Sequence, residues 1–369
     1  MQITDVTLTL FAWDGIPATT YTRYTGTLQG ASQLGLLRIV TDQGLEGHAF
    51  LGSSAYSADQ DGPSLIKYLK PMILGQNPLD REFLYDRLLH RNRFTTLRAI
   101  GAVDVALWDL AGKAAGMPIH ALLGSYRKSV PAYASSAVLP GPRAYGDEAV
   151  RYKEAGWTAY KIHPPTRPEE DVAVCAAVRE AVGEDYRLML DATWSYRYDQ
   201  ALRVGRAIEA LGFYWYEDPL DADDITSYVK LRQKLDIPIM ATEYSPGGFQ
   251  AYAPWITMQA TDFLRGDVAV KGGISALVKT AHLAEAFHMN LEVHHGGNSL
   301  NNVANLHVIL AIPNTEYFEV LLPDATQKYG LVEDIAIARD GTVKPPDGPG
   351  LGAKIDFELI ERKKTDVLR

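Results

Sequence analysis

The hydrophobic pattern of this chain changes character once, near residue 125. Residues 2–11 carry Ile3, Val6, Leu8 and Leu10 in near-alternation, which predicts a half-buried strand. The pattern then breaks over 12–30, AWDGIPATTYTRYTGTLQG, and a long loop rich in Thr, Gly and aromatic residues is expected there. LGLLRIVTDQGLEGHAFLG predicts two strands around an Asp42-Gln43-Gly44 turn, followed by a second polar loop over 52–62. Helical spacing takes over from Ile66 to Leu74, from Asp80 to Leu89 and through 98–116. In the last of these Ile100, Val103, Leu107, Leu110, Ala111 and Ala114 recur at three and four, and Gly116-Met117-Pro118 ends the run. Residues 1–125 therefore read as an α+β domain.

From residue 130 short apolar runs return at nearly constant intervals: VPAYA near 132, TAYKIH near 161, RLMLDA near 189 and WYED near 216, then PIMATE near 241, FLRGDV near 266, LEVHH near 293 and YFEVLL near 319. Helical stretches separate them at Asp147–Ala155, Pro168–Val182, Tyr198–Leu211, Ile225–Leu235, Ile274–Phe287 and Leu300–Leu310. Strand-helix units repeated eight times predict a closed parallel (β/α)8 barrel over 126–325. The tail, 326–369, is expected to return to the first domain. The fold class is thus α/β, a TIM-like barrel behind an N-terminal α+β cap.

Composition narrows the picture without redirecting it. At 369 residues, 47% hydrophobic and 22% charged, the chain is ordinary globular material with room for a barrel and a cap. A net charge of −9 argues against a nucleic-acid partner. The single cysteine, Cys175, excludes a disulfide framework. No apolar run reaches membrane-span length and the start lacks a signal-peptide pattern, so the cytoplasm is the default location.

The chemistry gathers at the ends of the barrel runs. RLMLDATWSY, FYWYEDPL and IPIMATEYSP each close in an acid, Asp191, Glu217 and Glu243, spaced by 26 and 26 residues. Parallel barrel strands in register would bring these carboxylates together at the carboxyl face, where barrels keep their chemistry. Converging carboxylates repel unless a cation sits among them, and hard oxygen donors favour Mg²⁺ over zinc. Lys161 and His163 stand two apart on the second run and so share a face. Asp267 and His294 are 27 residues apart, one barrel unit, which places a carboxylate within reach of an imidazole. His295 points the other way in a regular strand, Lys271 reads as a solvated loop lysine, and Glu319 closes the eighth run.

These features together resemble the enolase superfamily, in its mandelate racemase branch. GAVDVALWDLAGKAAGMPIHALLG at 101–124 and VKGGISALVKTAHLAEA after the sixth run are similar to sequence of that family. The resemblance implies Mg²⁺ held by Asp191, Glu217 and Glu243, and proton abstraction next to a carboxylate by a base among Lys161, His163 and the Asp267–His294 pair. It also implies that cap loops 12–30 and 48–62 close over the substrate, with Trp13, Tyr21, Arg23, Tyr24 and His48 from the cap and Thr193 and His295 from the barrel as contacts. The chain departs from the branch in three places: His163 stands where a second lysine is commonest, Thr193 follows Asp191-Ala192 where Asn is frequent, and Arg265-Gly266 precedes Asp267 in place of Gln-Pro. The expected activity is dehydration of a sugar acid, since the polar cap residues suit a polyhydroxylated carboxylate. Racemisation, epimerisation or lactone cycloisomerisation stays open, as does a metal-binding barrel without turnover. The expected partners are a small carboxylate substrate and further copies of the same chain, with no nucleic acid and no membrane.

Overall fold

The computed structural model describes residues 1–244 and 247–369. In the cap, β1 (Ile3–Thr20), β2 (Thr27–Thr41) and β3 (Glu46–Leu51) form an antiparallel meander, and the C-terminal strand Lys364–Leu368 adds to the free edge of β1. The expected 12–30 loop is mostly strand, because Trp13 pairs with Ser32 and Thr20 with Thr27. Threonine and aromatic side chains are good strand residues once a partner completes the ladder. Register shifts at Asp14–Ile16 and Ile16–Thr19 absorb Gly15 and Pro17, which had looked like loop signals. Only the tip, 21–26, remains between the strands.

The helix expected over Ile66–Leu74 is interrupted by a wide π stretch, Leu65–Leu69, before Lys70–Ile73. Pro71 has no N–H to continue the regular ladder, which accounts for the break. Arg81–Leu89 and Leu97–Ala115 form as expected. The longer helix starts where Thr96 Oγ1 accepts the Ala99 N–H at 3.1 Å and stops at Gly116, which is left-handed at φ 64°. Its first four turns are buried almost all round, between the cap sheet and the barrel.

All eight barrel runs are strands: β4 (Val130–Ser135), β5 (Ala159–Ile162), β6 (Arg187–Asp191), β7 (Trp215–Glu217), β8 (Ile239–Ala241), β9 (Phe263–Gly266), β10 (Asn290–Val293) and β11 (Phe318–Leu321). They run parallel in sequence order, and β11 returns to pair with β4. Among the described residues no ladder joins β10 to β11. There Leu291 donates to the Asn314 carbonyl at 2.8 Å, and the buried Glu292 carboxylate accepts the Glu316 N–H at 3.0 Å. A short helix, Tyr252–Thr257, lies between β8 and β9 where the sequence predicted none. No helix among the described residues is long and apolar enough to cross a membrane.

The barrel interior is layered by the two-residue period of its strands. Ala159, Met189, Trp215, Met240 and Tyr317 pack with Tyr133 as a dry plug, with Phe263 against it. Two residues further along, the same faces carry Lys161, Asp191, Glu217, Arg265 and Glu319, all buried. The apolar layer thus forms the floor of a charged one at the carboxyl face.

Candidate active site

Asp191 and Glu217 end β6 and β7, and Glu243 follows β8 by two residues. Each offers an oxygen lying within 4.8 Å of the other two. Lys161 Nζ is 3.0 Å from Asp191 Oδ2, 2.9 Å from Glu217 Oε2 and 2.7 Å from Glu319 Oε1. Burial alone would depress this ammonium, but Glu217 and Glu319 outweigh it and hold the lysine well above its ordinary value. On the far side of Glu217, Arg265 brings Nε to 2.7 Å from Glu217 Oε1 and a terminal nitrogen to 2.7 Å from Glu319 Oε2.

Two histidines flank the acids. His294 Nδ1 is 2.5 Å from Asp267 Oδ2 and its Nε2 is 3.1 Å from Glu243 Oε2. The Asp267 carboxylate is fixed in turn by the N–H groups of Ala269 and Val270, at 2.7 and 2.8 Å. His163 Nδ1 is 2.7 Å from the Ser136 carbonyl, and its Nε2 is 3.1 Å from Asp191 Oδ2. A carbonyl can only accept, so Nδ1 carries the hydrogen and Nε2 turns toward the acids.

The donor set fits a hard dication. Six buried carboxylates, Asp191, Glu217, Asp218, Glu243, Asp267 and Glu319, gather here around the basic side chains of Lys161, Arg265 and Lys271. Burial, with Asp191 and Glu217 adding to it, pushes the Glu243 carboxyl up to about 7, and burial also raises Glu217. Asp191 is held low because Lys161 and His163 together overcome its burial. An oxygen-preferring dication is the group that would keep all three ionised at once.

A cavity of about 540 Å³ opens above the acids, bounded by Lys161, His163, Asp191, Glu243, His294 and Glu319 below and by cap and loop residues above. Of the expected contacts, Tyr21 and Thr193 line it. The Tyr21 hydroxyl donates to the Leu322 carbonyl at 2.8 Å and the ring packs edge-on to His163. The other expected contacts do not line it. Trp13 is buried inside the cap, stacked on Tyr329 at 5.3 Å, because its strand position turns it into the sheet's packed face. His48 lies on β3 against the long cap helix, its Nδ1 3.2 Å from Lys113 Nζ, and burial with Lys113 lowers it to about 4. Tyr24 is exposed at the hairpin tip, its hydroxyl 3.4 Å from the Ser195 carbonyl, and Arg23 faces a neighbouring cavity. His295 points out of the barrel, as strand alternation requires, and packs on Phe318 at 4.2 Å; burial pushes it down to about 3. Lys271 is not solvated: it is fully buried, with Nζ 5.0 Å from the Tyr252 ring centroid, and burial lowers it to about 8.

Sequence reasoning passed over three groups. Arg265 had a usable signal, since it stands two residues before Asp267 on one strand face. Asp218, next to Glu217, accepts the Glu243 N–H at 3.1 Å and so fixes the third acid's backbone. Trp194 and Tyr244, packed edge to face at 5.5 Å, wall the cavity from two loops and carried no periodic signal.

Fold and site together define a capped barrel with three acids between two oriented histidines. Residues 144–359 match the family model described as "Enolase C-terminal domain-like", and residues 13–124 match that of the "Mandelate racemase / muconate lactonizing enzyme, N-terminal domain". The chain belongs to the mandelate racemase / muconate lactonizing enzyme family of the enolase superfamily. It is 30% identical to an arabinonate dehydratase of Saccharolobus solfataricus, over 86% of this chain and 88% of that one. It is 32% identical to a D-galactarolactone cycloisomerase of Agrobacterium fabrum, over 80% and 83%. A solved D-glucarate dehydratase from Agrobacterium tumefaciens, complexed with magnesium, superposes with a TM-score of 0.87 at 36% identity, covering 99% of this chain and all of that one.

Proposed function

We propose that this chain is a Mg²⁺-dependent hydro-lyase of a sugar acid, breaking the C2–H and C3–O bonds to give a 2-keto-3-deoxy acid. One observation carries the reading: two histidines flank a single carboxylate cluster, each with Nδ1 fixed by an acceptor and Nε2 turned toward it. Dehydration beside a carboxylate needs a base for the C2 proton and an acid for the departing hydroxyl. His294 takes the C2 proton at Nε2, with Asp267 orienting the ring and balancing the imidazolium. The same proton then goes to the C3 hydroxyl, which leaves as water, and the resulting enol tautomerises, losing its O–H proton and gaining one at C3 to give the keto acid. Lys161, locked among three carboxylates, presents a fixed positive charge to the substrate carboxylate as negative charge grows there. Arg265 and Glu319 hold that lysine and Glu217 in place. Tyr21 and Thr193 meet substrate hydroxyls, and His163 orients the substrate from the opposite side. A bound Mg²⁺, with Asp191, Glu217 and Glu243 as its protein ligands, supplies further stabilisation of charge on the substrate carboxylate.

The dehydratase relatives support this reading, and His163 favours a second one. With its own oriented Nε2 it makes the site two-based, which suits epimerisation or cycloisomerisation. Solvent deuterium exchange at C2, followed beside a colour test for 2-keto acids, separates them. Dehydration predicts keto acid, with exchange lost in His294→Asn and slowed in His163→Asn. Exchange without keto acid means epimerisation, and the reverse mutant pattern makes His163 the base.

A further inference from the structure

We infer that the sugar acid taken by this cavity is a monocarboxylate, an aldonate with an uncharged far end, and not a dicarboxylic aldarate. The inference rests on the sugar-acid reading above and specifies its substrate class.

The cavity is electrically one-sided. Among the described residues that line it, the basic side chains are Lys161, His163 and His294, and all three sit at the barrel floor against carboxylates. One substrate carboxylate is served there. The opposite wall is built from Thr22 and Thr25 of the hairpin tip, Leu28 at the start of β2, Ala55 of the second cap loop, and Trp194 and Tyr244 of the barrel loops. These offer hydroxyls, aromatic edges and aliphatic carbon, which suit a polyhydroxylated chain with a neutral end.

Among the described residues, the one charged side chain on that wall is an acid. Asp221 stands exposed at the rim, its Oδ1 accepting the Asp223 N–H at 2.9 Å. A second substrate carboxylate would leave water for a wall without a cation and would approach a like charge. Arg23 is the basic group on the adjoining tip, and it is turned elsewhere. Its guanidinium donates to the Tyr24 hydroxyl at 2.7 Å, lies 4.8 Å from that ring, and lines a separate cavity with Pro165, Arg167 and Glu170.

Calorimetric titration of the Mg²⁺-loaded protein with hexonates and hexarates of matching configuration measures recognition whatever reaction follows. In each pair that binds, the hexonate should bind at least about tenfold more tightly, and Asp221→Asn should narrow that gap. Hexarates binding as tightly or more tightly would overturn the inference while leaving the dehydratase reading intact. Loss of that binding in Arg23→Gln would then identify the loop arginine as the missing clamp. Pentonates are titrated alongside, and failure of every pentonate, hexonate and hexarate configuration to bind would overturn both readings together.

Discussion

Replacing Arg265 by methionine removes a guanidinium held at 2.7 Å from both Glu217 and Glu319, with further donation to the Val293 carbonyl and the Tyr133 hydroxyl at 3.1 Å. Every group in this cluster is buried. Breaking one partner out of a buried ion pair costs about 3–5 kcal/mol, because the remaining charge is left without compensation. Lys161 still reaches both acids, at 2.9 and 2.7 Å, so the loss should fall near the lower end, about 3 kcal/mol. A domain stable by ~5–15 kcal/mol survives that, and the variant should fold.

The same substitution acts with opposite sign on the metal. Arg265 is a fixed positive charge beside a carboxylate proposed as a Mg²⁺ ligand, so its removal should tighten the cation. Ligand binding adds RT ln(1 + [L]/Kd) to stability, about 1.4 kcal/mol for each tenfold gain in affinity at fixed excess metal. Chemical denaturation with chelator should therefore show the full deficit, and denaturation in excess Mg²⁺ should show one smaller by about 1 kcal/mol or more. Mg²⁺ titration of the folded variant should give the tighter constant directly. A deficit identical in both conditions would mean that Glu217 does not hold the metal, and no deficit in chelator would refute the account of the buried cluster.

Glu217→Gln should weaken Mg²⁺ binding by two or more orders of magnitude in calorimetry and abolish turnover, while the circular dichroism spectrum stays that of a folded barrel; metal binding unchanged would remove Glu217 from the ligand set. Asp104 on the long cap helix is buried, accepts from Ser275 Oγ at 2.6 Å and Ser275 N–H at 2.9 Å, and is pushed up by burial to about 7. Its folded value lies above its ordinary 3.8, so the stability it contributes is complete below that pH and is lost as pH rises through about 7. Wild type should accordingly lose a few kcal/mol relative to Asp104→Asn between about pH 4 and 8, and a pH-independent difference would refute the assignment.

The barrel and its charged layer were legible because both follow from period. Apolar runs at regular intervals locate the strands, and the two-residue alternation places Lys161 with Asp191, Glu217 and Glu319 on one level. The same rule reached His163, Asp267 and His294 one pleat higher, and it turned His295 outward, where it lies. Cap contacts obeyed no such rule. Trp13 and His48 lie in or beside polar stretches, which points to the mouth, yet both belong to strands whose packed faces are set by contacts hundreds of residues away, Trp13 with Tyr329 and His48 with Phe357. Lys271 looked solvated because a lysine in a Gly-rich loop usually is. The short helix at Tyr252 instead roofs it, and that helix had escaped the pattern.

Orientation of the two histidines shows where reading by residue type stops. Asp267 identified itself as the partner of His294 because a carboxylate one barrel unit away is a letter in the sequence. The corresponding partner of His163 is the carbonyl of Ser136, and every residue has a carbonyl. Ser136 holds that position because β4 ends at Ser135 and the chain turns, so that the next main-chain oxygen meets the imidazole of the adjacent strand. From sequence, then, His294 was a complete base and His163 an isolated ring. In the fold both have their tautomer fixed and both direct Nε2 toward the acids. The difference that remains is chemical. A carboxylate partner stabilises the imidazolium that forms when a proton is taken, whereas a carbonyl fixes direction with only a dipole. That asymmetry, and not the presence of a partner, is the reason for assigning proton removal to His294.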